Sequence, residues 1–364
     1  MKDEIKLVCG ETQLRKHLYA QNRLLCFVTT STHRRQHQRA ILDTWAERCD
    51  VTIFIMGRKK LPTTAESSQR TSWLSNAFSS STRTATLDIA TSKGPNAATS
   101  KRKVPCIKYD IEHLTTKLKI VYFDMVDVYA NLWQKTKLAF QYIVDNEEFD
   151  WVLKVDDDSY VFIDNLRLFI SDKDSAEPAY YGFHYKPNAP SGFNSGGPGY
   201  IMSRPNAVKF VKHIRDALSI NGSTCPKDLD AGPEDVYMAH CLYALGIRPG
   251  ETRDAKERYR FMPIKLQAAI SREGIPDWFW GLLLYPFPKG LNCCSDTAIS
   301  FHYISPEFMR VMEYLSYYLH PFSVRSTWQE QGSSQKMLFD QYFNMTSERS
   351  AINITTSQGC VGLR

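Results

Sequence analysis

The stretch Trp151-Val152-Leu153-Lys154-Val155-Asp156-Asp157-Asp158 places three consecutive aspartates directly after a mostly apolar run. The apolar run predicts a short buried strand, with the aspartates at its carboxyl end. In an extended chain alternate side chains share a face, so we expect Asp156 and Asp158 on one side and Asp157 on the other. Three neighbouring carboxylates repel one another, which predicts a source of positive charge nearby.

The triplet permits two interpretations. Two carboxylates on one face suit a hard divalent cation such as Mg²⁺ or Mn²⁺, which keeps waters and takes phosphate oxygens as further ligands. That interpretation points to an enzyme that handles a nucleotide diphosphate. The alternative is an acidic turn in solvent, and the triplet alone does not separate the two.

Length and composition describe a globular chain. Its 364 residues, 43% apolar and 12% aromatic, suffice for one large α/β domain or two smaller ones. The net charge of +6 is modest, and much of the basic excess lies in residues 58–108. No recurring basic–aromatic pattern accompanies it, which favours a solvated loop over a nucleic-acid-binding face.

The cysteines and sequons indicate a compartment. The nine cysteines lack the paired spacings of a zinc site. Asn-x-Ser/Thr sequons occur at Asn221, Asn344 and Asn353, and together with the cysteines they favour an oxidising lumen. The sequence contains no apolar run of membrane-spanning length, and its N-terminus is charged rather than signal-like. For a lumenal protein we therefore expect the targeting segment to be missing from this chain.

Strand and helix patterns alternate before the triplet. Residues 24–28 and 51–56 predict strands on either side of a helix within 34–48, the spacing of a parallel βαβ unit. A third strand at 120–124 and a helix at about 130–145 follow. We predict an α/β fold with its site at the carboxyl ends of the strands.

Two segments after the triplet could complete its chemistry. The glycine-dense loop at 191–199 would let backbone amides approach a sugar or a diphosphate, although a plain tight turn is the simpler explanation. Gly232-Pro233-Glu234-Asp235 has the features of a helix start. Asp235 is therefore either part of that start or a general base aimed at an acceptor hydroxyl.

Two later segments are similarly open. His302, in Phe301-His302-Tyr303, is either a satisfied structural residue or a further ligand beside two carboxylates, a set compatible with Mn²⁺. Asp277-Trp278-Phe279-Trp280 holds three aromatic residues in four positions. Such rings stack on sugars or pack in a core.

These residues, taken in order with several others, resemble a known family, the inverting β1,3-glycosyltransferases that include fringe and the β1,3-galactosyltransferases. Within it the chain looks most like the core 1 galactosyltransferases, or T-synthases. The resemblance covers residues 23–58 and 120–325. It is carried by Arg39 to Trp45 with Arg48-Cys49, Asn131-Leu132 with Lys135-Thr136, Leu153 to Val161, Ser195-Gly196-Gly197, Glu234-Asp235-Val236, Cys293-Cys294-Ser295-Asp296, Ser300 to Tyr303 and Glu313-Tyr314-Leu315.

The resemblance implies a GT-A type nucleotide-sugar transferase fold, with a mixed, mostly parallel sheet flanked by helices. Residues 23–325 would form the catalytic domain, preceded by a stem remnant at 1–22. Residues 59–105, rich in Ser, Thr, Ala and Lys, are predicted to be a disordered insertion. Residues 326–364 are predicted to be a flexible tail.

The resemblance also implies Mn²⁺ as cofactor and UDP-galactose as donor. Asp156 and Asp158 match the Asp-x-Asp element and His302 the second protein ligand; Asp158 would bind the metal directly, and Asp157 would matter least to it. Lys135 is expected to balance the acidic cluster. The implied donor contacts are Thr29, Thr30, Arg39, Lys135, Asp156, Asp157, Gly196 and Gly197.

Asp235 matches the family's catalytic base. It would take the proton of the acceptor C3 hydroxyl as that oxygen attacks the anomeric carbon, so that one in-line displacement converts an α-linked donor into a β-linked product. The implied acceptor is GalNAc on Ser or Thr of a glycoprotein, which gives the core 1 disaccharide. Its implied contacts are Trp280, Glu234 and Tyr303.

Family members are type II Golgi membrane proteins with a lumenal catalytic domain. The resemblance therefore implies glycosylated sequons, a homodimer as one candidate assembly, and an N-terminal anchor that we expect to be missing from this chain. The implied disulfides are Cys26–Cys49 and Cys225–Cys241, while the pairing of Cys293 and Cys294 stays open.

Two alternatives remain. One is a relative that uses another donor or acceptor, since segment 122–131 looks more like the broader β1,3-galactosyltransferases. The other is a non-catalytic T-synthase chaperone, against which the intact triplet argues.

Overall fold

The structure is a computed structural model that describes residues 13–59, 109–186, 188–216, 224–271, 273–288 and 290–319. The predicted insertion, apart from Lys59, and the predicted tail lie outside these residues. So do the three sequons at Asn221, Asn344 and Asn353.

The strands of the described residues form one large sheet and two small ones. They are β1 (Leu24–Thr29), β2 (Val51–Lys59), β3 (Tyr109–His113), β4 (Leu118–Val126), β5 (Trp151–Asp156), β6 (Tyr160–Val161), β7 (Tyr180–Gly182), β8 (His184–Tyr185), β9 (Phe193–Asn194), β10 (Tyr200–Ser203), β11 (Phe261–Met262) and β12 (Ser300–Phe301). The large sheet has the order β3-β4-β2-β1-β5-β10-β7. Strands β4, β2, β1 and β5 are parallel, whereas β3 and β10 run antiparallel to their neighbours.

Helices cover both faces of this sheet. They are α1 (residues 13–21), α2 (Arg35–Asp43), α3 (Leu132–Asn146), α4 (Ile163–Ile170), α5 (Arg204–Arg215), α6 (Glu234–Ala244), α7 (Leu266–Ser271), α8 (Asp277–Leu282) and α9 (Pro306–Tyr317). Single 3₁₀ turns lie at Ala46–Arg48, Tyr129–Asn131 and Gly290–Asn292.

The central strand β1 shows why the sheet is covered on both sides. All six of its residues are buried. Leu24, Cys26 and Val28 belong to one core cluster, which includes Trp45 of the loop after α2. Leu25 and Phe27 point to the other cluster, which holds Trp133 and Phe140 of α3. Because both faces carry apolar side chains, a layer of helices must cover each face. The predicted α/β fold with a mixed, mostly parallel sheet is confirmed.

The predicted strands are confirmed and extend a few residues further. The predicted helix at 34–48 ends earlier, at Asp43, where the Thr44 hydroxyl donates to the Ala40 carbonyl at 2.7 Å.

The extended geometry assumed for the aspartate triplet is wrong. Strand β5 ends at Asp156, and the Ser159 N–H donates to the Asp156 carbonyl across a turn.

Three disulfides are present among the described residues. Cys26–Cys49 and Cys225–Cys241 confirm the implied pairings. The adjacent Cys293 and Cys294 pair with each other, which settles the question that the sequence left open.

The segment predicted as a stem remnant contains the helix α1, which contacts the domain. The Tyr19 hydroxyl donates to Asp164 at 2.9 Å, and the Arg167 guanidinium lies 4.0 Å from the Tyr19 ring centre. None of the described helices combines the length and apolar character needed to cross a membrane.

Candidate active site

The strand topology gathers the predicted site residues at one edge of the sheet. Strands β1 and β5 are parallel neighbours, with Thr29 in register with Asp156. Strand β10 runs the opposite way and pairs Tyr200 with Lys154. The glycine loop that enters β10 therefore arrives where β5 ends, so the threonines, the triplet and the loop meet.

Asp156 is held by a buried lysine. Its Oδ1 accepts hydrogen bonds from Thr29 Oγ1 at 2.7 Å and from Lys154 Nζ at 2.6 Å. Lys154 is fully buried, and its ammonium also contacts the Gly196 carbonyl at 3.1 Å and Glu234 Oε2 at 3.4 Å. Burial alone would lower the pKa of Lys154, but Asp156 and Glu234 outweigh burial and raise it. Lys154 is therefore a permanent cation beneath the triplet.

Asp157 is hydrogen-bonded to residues of the loop after β1. It accepts hydrogen bonds from the Thr30 hydroxyl at 2.5 Å and from Arg34 Nε and Nη2 at 3.0 and 2.8 Å. Burial raises the pKa of Asp157, even though Arg34 and Thr30 favour its ionised form. The positive charge predicted beside the triplet is thus present, and Arg34 and Lys154 supply it.

Asp158 lies against His302. The Asp158 Oδ1 is 3.0 Å from His302 Nε2, and Arg34 Nη2 approaches the other carboxylate oxygen at 3.6 Å. Burial would raise the pKa of Asp158, but His302 and Arg34 outweigh it and lower the pKa. Two backbone bonds fix the pair, from Ile304 N–H to the Asp158 carbonyl and from His302 N–H to Met262.

Gly197 makes room for this pair. A Cβ atom at Gly197 would overlap the imidazole ring of His302. The Gly197 carbonyl accepts from the Asp156 N–H at 3.3 Å and from the Ser159 hydroxyl at 2.8 Å. The glycine loop was expected to present its amides to the donor. In the structure Gly197, which lacks a side chain, leaves room for the His302 ring, and the Gly196 N–H donates to Asp235 at 3.0 Å.

The donor atoms fit a cation that also binds phosphate. No group of three or more His, Cys, Asp or Glu side chains is arranged to hold a metal ion in the part of the chain that the structure describes. Asp158 and His302 offer one carboxylate and one imidazole, while the predicted third donor, Asp156, directs its Oδ1 to Lys154 and Thr29. A two-donor site suits a divalent cation that completes its shell with water and diphosphate oxygens.

Asp235 lies in the first turn of α6, beside the glycine loop. Its carboxylate accepts the N–H groups of Gly196 at 3.0 Å and Val236 at 2.9 Å, and the residue as a whole is half-buried. Burial raises the pKa of Asp235, and those N–H groups and Lys154 only partly oppose it. The two interpretations of Asp235, as part of a helix start and as a general base, are compatible, because a residue in the first turn of α6 can fill both roles.

Glu234 faces the interior rather than an acceptor surface. It is 4% exposed, accepts from the Tyr200 hydroxyl at 2.5 Å, and contacts Lys154. Burial raises the pKa of Glu234 despite the lysine. The structure therefore does not bring Glu234 to a surface where an acceptor sugar could touch it.

Two of the predicted acceptor residues, together with Tyr129, are accessible aromatic side chains. Tyr303 stacks on His302 with ring centres 3.8 Å apart, and its φ of +58° lies in the left-handed region, which is uncommon for an aromatic residue. Trp280 of α8 packs on Phe279 and Phe287, and its place near an acceptor stays a prediction. Tyr129 is 88% exposed.

Two predicted donor contacts lie away from the triplet. Arg39 points outward and pairs with Asp43 at 2.8 Å within α2. Lys135 pairs with Asp127 and donates to the Thr30 carbonyl at 2.7 Å, so it supports the loop after β1 and does not balance the triplet.

Sequence reasoning missed Arg34 and Lys154. Lys154 did give a signal, since a lysine within a strand that is buried on both faces requires an anionic partner. Arg34 gave none, because its contact with Asp157 depends on how the loop after β1 folds back.

Comparison with known proteins agrees with this geometry. Residues 112–194 match the family described as Galactosyltransferase. The Xenopus laevis glycoprotein-N-acetylgalactosamine 3-beta-galactosyltransferase 1 is 37% identical over 193 residues, which are 52% of this chain and 51% of that protein. Human beta-1,3-glucosyltransferase is 31% identical over 97 residues, 27% of this chain and 18% of that protein. Mouse chondroitin sulfate synthase 3 is 26% identical over 125 residues, 31% of this chain and 13% of that protein.

The chain thus spans about half the length of the frog protein and less than a fifth of the other two. The resemblance read from the motifs is confirmed. Residues 112–194 match the galactosyltransferase family, and over about half its length the chain is similar to a glycoprotein-N-acetylgalactosamine 3-beta-galactosyltransferase.

Proposed function

We propose that the protein is an inverting β1,3-galactosyltransferase that moves galactose from UDP-galactose to GalNAc on Ser or Thr of glycoproteins. The observation that carries the proposal is the pairing of Asp158 with His302 at the same sheet edge as Asp235, a half-buried residue whose carboxyl pKa is raised by burial. The frog relative, whose name states this donor sugar and this acceptor, supports the choice of substrates.

The donor diphosphate would bind at Asp158 and His302 together with Mn²⁺. The chemistry that Mn²⁺ supplies when bound is neutralisation of the negative charge on the departing diphosphate. Asp158 suits this task because His302 and Arg34 keep its pKa low, so that it is ionised at neutral pH. Thr29 and Thr30 already bind carboxylates of the triplet, so their proposed part is to hold Asp156 and Asp157 in place.

Asp235 would act as the general base. The acceptor C3 oxygen forms its bond to the anomeric carbon while the bond from that carbon to the diphosphate breaks, and the hydroxyl proton passes to the Asp235 carboxylate. UDP leaves with the bonding electrons, and the configuration inverts. A base works best with a pKa near the operating pH, and burial shifts Asp235 in that direction.

The acceptor sugar would lie on the accessible aromatic side chains. Tyr303 is 46% and Trp280 is 38% exposed, and such rings pack on the apolar faces of sugars. We place the enzyme in the Golgi lumen, consistent with the disulfides Cys26–Cys49 and Cys225–Cys241.

The decisive experiment gives the purified protein UDP-galactose and a GalNAc-threonine peptide, with and without Mn²⁺, and identifies the product linkage by NMR. We expect β1,3-linked galactose only when Mn²⁺ is present. UDP-GlcNAc and UDP-glucose serve as control donors.

Each other outcome has a definite meaning. Transfer from UDP-GlcNAc or UDP-glucose instead of UDP-galactose would assign a different donor to the same fold. Absence of transfer from every donor, together with normal folding, would favour a non-catalytic homologue.

A further inference from the structure

We infer that Lys154 is a positioning residue that fixes the distance between the metal-side aspartate and the helix that carries the base. The inference rests on the proposed function, because it takes Asp156 and Asp235 to serve the two ends of one displacement.

Lys154 joins three separate elements. Its ammonium contacts Asp156 at the end of β5 at 2.6 Å, the Gly196 carbonyl of the glycine loop at 3.1 Å, and Glu234 at the start of α6 at 3.4 Å. The ammonium donates hydrogen bonds to Asp156 and to the Gly196 carbonyl, and it forms an ion pair with Glu234. The side chain is fully buried, so packing holds the ammonium in this position.

Two of these contacts lead directly to the base. Gly196, whose carbonyl Lys154 binds, donates its own N–H to Asp235 at 3.0 Å. Glu234, which Lys154 also contacts, precedes Asp235 in the first turn of α6. A shift of the ammonium would therefore move the base through both the loop and the helix.

Charge makes this arrangement necessary. Asp156 and Glu234 both contact one cation, and without it two carboxylates, one of them almost fully buried, would lie near each other uncompensated. Their repulsion would then push β5 and α6 apart. Lys154 keeps them at one spacing, and an in-line displacement depends on such a fixed spacing.

A second buried lysine provides a matched control. Lys119 of β4 pairs with Glu147 at 2.7 Å, and both side chains are largely buried. Like Lys154 it is a strand residue with a carboxylate partner, but it contacts neither the triplet nor α6. The loss of Lys119 tests the general cost of removing a buried ion pair.

The experiment compares Lys154→Met, Glu234→Gln and Lys119→Met with the unaltered protein. UDP titration in the presence of Mn²⁺ gives the dissociation constant and the number of competent sites, and kcat is expressed per competent site. We expect Lys154→Met to lower kcat per site about 100-fold, since a small displacement of reacting groups has an effect of this size. The UDP dissociation constant should change less than about fivefold, because Asp158, His302 and Arg34 remain in place.

Glu234→Gln removes the ion pair between Lys154 and α6 and leaves the contacts of Lys154 with Asp156 and Gly196 in place; its amide oxygen can still accept from Tyr200. We expect it to lower kcat per site about tenfold without changing the acceptor KM, because Glu234 is buried away from the acceptor. In the double variant with Lys154→Met the two effects should not add, because both act through the same contact. Lys119→Met should leave kcat per site within about twofold of the unaltered value.

Three results would overturn the inference. The first is a Lys154→Met protein that keeps its kcat per site, which would make the lysine merely structural. The second is a loss of UDP affinity as large as the loss of kcat, which would place its effect at the donor. The third applies if Lys154→Met does not fold: it is a Glu234→Gln protein whose kcat per site equals that of the unaltered protein. Inactivity of the unaltered protein would instead refute the proposed function.

Discussion

Two largely buried ion clusters, one around Glu313 and one around Lys154, differ in charge balance. In the Glu313 cluster, Arg48 pairs with Glu313, which also accepts from the Tyr160 hydroxyl at 2.7 Å, while the Arg48 guanidinium lies 4.0 Å from the Tyr317 ring centre. That cluster has one cation and one anion, and each charged group has several partners.

The cluster around Lys154 is not balanced. Lys154 there faces Asp156 and Glu234, and Asp235 lies next to them. Burial raises the pKa values of Glu234 and Asp235, and the neighbouring carboxylates add to the rise. Both groups therefore hold protons more readily than ordinary carboxyls. A balanced cluster stabilises a fold, whereas an excess of carboxylates prepares a site to accept a proton.

The largest expected effect comes from removing the unbalanced charge at the base. Asp235→Asn should lower kcat by about 1000-fold, within the range for loss of a general base. Binding of UDP with Mn²⁺, measured by calorimetry, should stay nearly unchanged because Asp158 and His302 are untouched. Substantial turnover in this variant would show that another group is the base.

A steric change on the metal side should have the next largest effect. Gly197→Ala places a methyl group where the His302 ring lies, so His302 must move away from Asp158. We expect Mn²⁺ affinity to fall about 10–100-fold, as when a residue that orients a metal ligand is lost. Gly281→Ala is the control, because a Cβ there meets no atom within 4 Å. Equal Mn²⁺ affinity in both variants would exclude His302 as a ligand.

The pH dependence of the reaction tests the raised pKa of the base. Asp235 must be ionised to accept a proton, so kcat/KM should fall as pH decreases through its pKa. Because burial raises that pKa, the fall should begin at a higher pH than for an ordinary aspartate. An acid limb at the ordinary aspartate value would contradict the assignment. The residual activity of Asp235→Asn should lack this limb.

A substitution in the balanced cluster should lower the free energy of unfolding and leave kcat unchanged. Glu313→Gln leaves Arg48 without its buried counter-ion, which we expect to cost about 2–4 kcal/mol of unfolding free energy. Chemical denaturation measures that loss, and kcat per folded molecule should be unchanged. A large fall in kcat without a loss of stability would mean that both clusters serve the site.

The smallest effect is expected at Arg39, a predicted donor contact whose side chain is exposed and pairs within α2. Arg39→Ala removes an exposed pair with Asp43, so UDP affinity should change less than about twofold. Arg34→Ala, which frees Asp157 and removes a cation beside Asp158, should weaken UDP binding more strongly. If the two variants were equal, the assignment of Arg34 to the donor side would be incorrect.

Local pattern predicted the frame of the molecule, because strands such as Leu24–Thr29 and Trp151–Asp156 are apolar throughout and α3 has a clear helical composition. It also located the triplet, Asp235 and His302, whose residue types and order are distinctive. Which cation neutralises the triplet was not predictable in this way. Lys154 meets Glu234 only because β10 runs antiparallel to β5 and brings the glycine loop and α6 to that edge. Such contacts are fixed by strand order, which no short segment encodes.

The pairing of β4 with a strand on each side has a consequence for how this chain can be altered. Lys59, the last residue of β2, is in register with Val126, and Tyr109, the first residue of β3, with Phe123. Both residues therefore lie near the carboxyl end of β4, about two strand spacings or 10 Å apart, so a linker of a few residues could join them. Lys59 and Tyr109 thus lie at the sheet edge that holds Thr30 and Asp157. A reporter joined to the chain between these two residues would be attached beside the proposed donor site, where it could respond to nucleotide binding.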